Sequence, residues 1–154
     1  MAAGCRYTAQ LEEACRLVLA QLEDAFSWKL VDQSRSGPPT QPWLEPDVCD
    51  YLRDVHERGE HTDVVVVPIG FISDHMEILF DLDTEAQELC SEIGLGMVRA
   101  STVGTDPRFV SMIRELVLER TSGASREYLG EQGASHDVCP QDCCPSGRPA
   151  GRPR

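Results

Sequence analysis

The chain has 154 residues, 41% of them apolar, and a formal charge of −12 at pH 7. That length suffices for one domain with a core of its own, and the charge excludes a nucleic-acid binder, which needs a basic footprint. The longest strongly apolar stretch, residues 64–69, is a strand length, short of the roughly 18 apolar residues of a membrane-spanning helix.

Residues 1–15 carry Arg6, Glu12 and Glu13 where a secretory signal would hold its apolar core, so a cytoplasmic location is expected and membrane association is not indicated. Residues 8–26 set apolar side chains at the three-four spacing of an amphipathic helix. Residues 28–31 are a short strand candidate, followed by a loop whose Gly37-Pro38-Pro39 forbids regular structure. Pro46-Asp47 can open a second helix with Val48, Tyr51, Leu52 and Val55 on its inner face. Residues 63–68 are continuously apolar and β-branched after Asp63, which predicts a strand covered on both faces in a parallel sheet. A turn at 70–73 leads into a long helix over 74–93, closed by Gly94 and Gly96. A strand over 97–100 and a helix over 106–119, with Pro107 in its first turn, complete the alternation. Helix and strand in alternation predict an α/β fold with a parallel sheet. From Thr121 the composition turns to Gly, Ser and Pro, so residues 1–120 are expected to form the α/β domain and 121–154 a flexible tail.

Seven cysteines are unevenly spread. Cys15, Cys49 and Cys90 fall in helical segments, where a free thiol serves as a small buried hydrophobe. Cys139, Cys143 and Cys144 crowd into the Pro/Gly-rich tail, and reduced thiols clustered that way suggest metal before disulfide.

In open α/β sheets, function collects at the carboxyl ends of the strands. Here that place is Phe71-Ile72-Ser73-Asp74-His75-Met76-Glu77. Ser73 or Asp74 can cap the helix that follows, with Glu77 at capping-box spacing from Asp74. Glu77, Asp81 and Glu85 then stand at i, i+4 and i+8, a row of carboxylates rising roughly 6 Å per step. Periodicity alone leaves two readings open: a solvated acidic face, or a functional row that like-charge repulsion makes slightly costly to the helix.

The stretch over 68–83, PIGFISDHMEILFDLD, resembles the signature of the ferrochelatases. Leu30-Val31-Asp32-Gln33-Ser34-Arg35-Ser36-Gly37-Pro38 and Trp43-Leu44-Glu45-Pro46 resemble the segment before it, and Arg99-Ala100-Ser101 with Asp106-Pro107-Arg108-Phe109 the last strand and helix. The likeness covers about residues 7–117, in order, and is nearest to actinobacterial, coproporphyrin-type, iron–sulfur-containing members. It implies a three-layer, Rossmann-like half of a chelatase fold with an irregular Cys-rich tail. It also implies insertion of ferrous iron, the metal substrate, into coproporphyrin III or protoporphyrin in haem biosynthesis, a lyase-type reaction without a redox step.

By the same resemblance Glu77 is the catalytic carboxylate, binding iron or accepting a proton, with His75 and Asp74 supporting it. Asp81 and Glu85 continue the metal track along a helix widened by a π-type turn, and Trp43 and Phe71 line the porphyrin pocket. Ordinary core packing is the other reading of those two aromatics. Family members carry a further half before this region, holding a histidine opposite the glutamate, and none of His56, His61 or His136 sits in a matching context. The chain is thus expected to be a fragment with one wall of the cleft, needing that N-terminal half as partner. Asp32 departs from the pattern, since an aromatic residue usually precedes Gln-Ser. The tail resembles the one that, in some members, holds a structural [2Fe–2S] cluster, with Cys139, Cys143 and Cys144 joined by Cys5 as interior ligand and Cys15 as the weaker choice. Zinc or an unligated tail stay open. Two other functions are weighed: a non-catalytic iron- or cluster-binding fragment, and a cobalt or nickel tetrapyrrole chelatase.

Overall fold

A computed structural model describes residues 6–34, 40 and 43–138. The chain folds as two compact units, Ser27–Glu115 and Met1–Phe26 with Leu116–Arg154.

In the first unit Asp47 starts a helix, α2 (Val48–Arg58), by accepting from the Cys49 N–H at 2.9 Å, and Gly59 ends it at φ 63°. Only a residue without a Cβ takes that left-handed turn freely. β1 (Asp63–Val66) and β2 (Gly96–Arg99) pair in parallel, Val66 opposite Arg99. Between them runs one long helical rod: α3 (Met76–Phe80), a π-segment (Asp81–Ala86) and α4 (Gln87–Ile93), closed by Gly94 at φ 77°. The α/β class with a parallel sheet stands as expected. A crossover between parallel strands needs a connection of about this length, and the rod supplies it.

The core is a row at strict four-residue spacing. Ile78, Leu82, Ala86 and Cys90 are essentially without solvent exposure, and they pack with Val48, Leu52, Val55 and Leu95. In an α-helix each step of four overshoots a full turn by about 40°, so such a row would wind off the core. The wider π turn takes up the excess. Thr84 Oγ donates to the Leu79 carbonyl at 3.1 Å, satisfying an acceptor in the widened stretch.

Three local expectations differ. Residues 28–31 form no strand, and one parallel bridge between Asp32 and Asp47 stands in their place, with the Asp32 N–H on the Pro46 carbonyl. Among the described residues β1 is covered on one face only. Val64 and Val66 pack on the core while Val65 and Val98 are 69% and 66% exposed, because α2 and the rod cover a single side of the sheet. The helix expected over 8–26 stops early: α1 (Tyr7–Leu19) has no buried residue, and Leu22 and Phe26 are about half exposed.

The second unit joins α1 to the segment after α5 (Pro107–Thr121). Arg6 donates to Gln132 at 2.5 Å, Gln132 donates to the Ala9 carbonyl at 3.3 Å, and the Glu131 N–H donates to Glu13. Arg120 and Arg126 both pair with Asp137. Among the described residues no helix is long and apolar enough to cross a membrane.

Candidate functional site

The rod begins where β1 ends, and its start is capped by a residue the sequence reading passed over. His75 Nδ1 accepts the Glu77 backbone N–H at 3.2 Å, in place of Ser73 or Asp74. The ring packs edge-on to Phe71, with centroids 5.0 Å apart. Glu77 Oε2 lies 3.8 Å from the same nitrogen, and its side chain is 57% exposed. Asp74 turns elsewhere and accepts from Arg99 at 2.9 Å.

One turn further on, Asp81 points toward the Gln33-Ser34 segment. Ser34 Oγ donates to Asp81 Oδ2, and Gln33 Nε2 reaches the same oxygen at 3.4 Å. Ser34 adopts φ 57°, a left-handed conformation that costs a non-glycine residue on the order of 1–3 kcal/mol. Its bonds to Asp81 and Gln33 hold it there. Asp81 and Glu85 line a polar cleft of about 440 Å³ together with Gln33, Ser34, Asp47, Cys49 and Arg53. Burial, then the nearby charges of Asp47 and Glu85, push the Cys49 thiol up to about 11, so it faces the cleft as a protonated, inert group.

The structure thus joins Asp81 and Glu85 in one cleft with Gln33 and Ser34, distant in sequence. Glu77, Phe71 and Trp43 are not among the residues lining it. Phe71 packs on the core, and Trp43 is partly exposed. Cys5, Cys139, Cys143 and Cys144 lie outside the described residues. Among the described residues no three His, Cys, Asp or Glu side chains converge as a metal site.

The acids of the rod fall into two classes. Asp74 and Asp83 are both paired with Arg99. Among the described residues no lysine or arginine pairs with Glu77, Asp81 or Glu85. Carboxylates without a cationic partner, stacked one turn apart, are hard oxygen donors for a divalent ion and acceptors for protons.

The ferrochelatase family profile matches residues 1–121. The chain belongs to the ferrochelatase family. It is 56% identical to a ferrochelatase of Rhodopirellula baltica, over 94% of this chain and 41% of that protein. It is 47% identical to a coproporphyrin III ferrochelatase of Streptomyces griseus, over 95% of this chain and 41% of the relative. A Nocardia farcinica protein of the same name is 46% identical over 98% of this chain and 44% of its own length. The chain spans about two-fifths of the length of the curated relatives it matches. Membership in the ferrochelatases agrees with the resemblance read from residues 68–83 and with the parallel α/β arrangement.

Proposed function

We propose that this chain supplies one wall of a ferrochelatase cleft and takes part in inserting ferrous iron into a porphyrin, coproporphyrin III ahead of protoporphyrin IX. What carries the reading is that, among the described residues, no lysine or arginine pairs with Glu77, Asp81 or Glu85, while the neighbouring Asp74 and Asp83 are tied to Arg99. The preference for coproporphyrin III is supported by the names of the Streptomyces and Nocardia relatives.

Insertion replaces two pyrrole N–H protons by one ferrous ion and releases both protons, with no change of oxidation state. Asp81 and Glu85 hold the incoming ion with oxygen donors. Glu77, beside the strand end, binds it at the ring or takes a proton, and His75 supports Glu77 by fixing the backbone turn that carries it. Asp74 supports it indirectly, through Arg99. Phe71 and Trp43 offer apolar surface to a flat ring.

A second body, corresponding to the part of the relatives' length that this chain does not span, forms the opposing wall. Its seat is supported by the uncovered sheet face at Val65 and Val98. The reaction belongs in the cytoplasm, which suits the free thiols of Cys15, Cys49 and Cys90.

Anaerobic addition of ferrous iron and coproporphyrin III, with metalloporphyrin absorbance followed, tests the proposal. Metallation is expected when the second body is supplied, and Glu77→Gln should slow it by about 10²–10⁴-fold. An unchanged rate in Glu77→Gln overturns the role of Glu77. A second reading, a non-catalytic iron-binding fragment, is favoured by the exposure of Glu77 outside the cleft. Binding without metallation in either arm would select it.

The proposal extends to a [2Fe–2S] cluster held by Cys5, Cys139, Cys143 and Cys144, four thiolates being the required set. Support comes from the second unit, where Arg6, adjacent to Cys5 in sequence, bonds Gln132, a few residues ahead of Cys139. Its role is structural, since the reaction moves no electrons.

A further inference from the structure

Arg99 ends β2 and joins three segments that are remote in sequence. Its Nη1 donates to Asp74 Oδ1 at 2.9 Å in the turn before α3, and to the Ala100 carbonyl at 3.2 Å. Its Nε and Nη2 grip both oxygens of Asp83 in the π-segment, the latter at 2.8 Å. Its side chain is only 16% exposed, well below either partner. The two-toothed fork is the strongest geometry an arginine offers a carboxylate.

Asp83 lies two residues from both Asp81 and Glu85, so about half a helical turn separates it from each. Asp81 is held on one side of the rod by Ser34, and Asp83 on the other side by Arg99. A rod gripped from both sides cannot rotate about its axis. A π turn is rarely chosen by a helix on its own, and its simplest relaxation is to an α turn, which would rotate Glu85 and the residues after it about the axis relative to the Ser34-held Asp81.

We propose that Arg99 is a positioning residue: its fork to Asp83, with the bond to Asp74, holds the π-segment in register so that Asp81 and Glu85 face one cleft. The inference rests on the reading of those acids as the ferrous track. The hydrogen bond to Arg99 also holds the Asp83 carboxyl below its ordinary range, and that to Asp83 raises the guanidinium, as a tight pair requires.

The test uses the full chain, with backbone amide exchange and anaerobic ferrous-ion titration as readouts. In Arg99→Met, protection over Asp81–Ala86 should fall at least about tenfold while that of α2 is kept, and ferrous affinity should fall about tenfold. Arg99→Lys, a point charge without the fork, should fall between. Should Arg99→Met fail to fold, Asp83→Asn keeps the Asp74 bond and should give the same selective loss. Wild-type protection and affinity in these variants overturn the proposal. An unsubstituted chain that binds no ferrous ion instead overturns the track reading itself, along with the functional part of the inference.

Discussion

Asp32 is partly buried, at the bridge to Asp47. Burial raises its carboxyl above the ordinary value. For an acid so shifted, the folded chain takes up a proton at higher pH than the unfolded one. The stability this group contributes therefore grows as pH falls through its folded pKa, and it is lowest above that value. Asp32→Asn should be the more stable chain at pH 7, with the gap closing toward pH 4, as read from urea midpoints at the two values. A gap that does not change with pH would remove burial as the cause. His75 illustrates what residue-level reading passes over. In sequence its ring suggests chemistry, whereas in the fold its nitrogen caps the rod, and imidazole is not among the usual capping groups.

The rod from Met76 to Ile93 carries two parallel rows, Glu77, Asp81 and Glu85 beside Ile78, Leu82, Ala86 and Cys90, and both depend on the same widened turn. Leu82 lies at its centre with 1% exposure, so Leu82→Ala should cost roughly 2–5 kcal/mol of unfolding free energy through the cavity it leaves. Guanidinium denaturation would show it; a loss below about 1 kcal/mol would mean that the rod collapses freely at this point. Much of this element was legible: its span, its closing Gly94, and the acid row at four-residue spacing. The π turn itself came from family resemblance, although the apolar row repeats at four residues rather than three and four, which is its mark in the sequence. An ordinary helical count would also place Leu79, 44% exposed, in the core, because it takes no account of the widened turn. The cleft was hidden for a different reason. It requires Ser34 to take a positive φ, and serine gives no local sign of that. The strand expected over 28–31 could not be refuted locally either, since strands are decided by the neighbour that pairs with them.

At the scale of the whole molecule, the bonds from Arg6 and Glu13 to residues 131 and 132 tie the start of α1 to the approach to the cysteine tail. If a cluster is held as proposed, Cys5→Ser should lose the visible absorbance and the acid-labile sulfide, while Cys15→Ser keeps both. The reverse pattern would make Cys15 the interior ligand. The two-stranded sheet has a consequence of another kind. With only β1 and β2 paired among the described residues, each strand keeps one flank of unused peptide donors and acceptors, next to valines open to water. Natural sheets cap or charge such flanks because they template further strands. This chain studied in isolation should therefore self-associate steeply with concentration, and a rate per chain will mean little unless it is taken at high dilution.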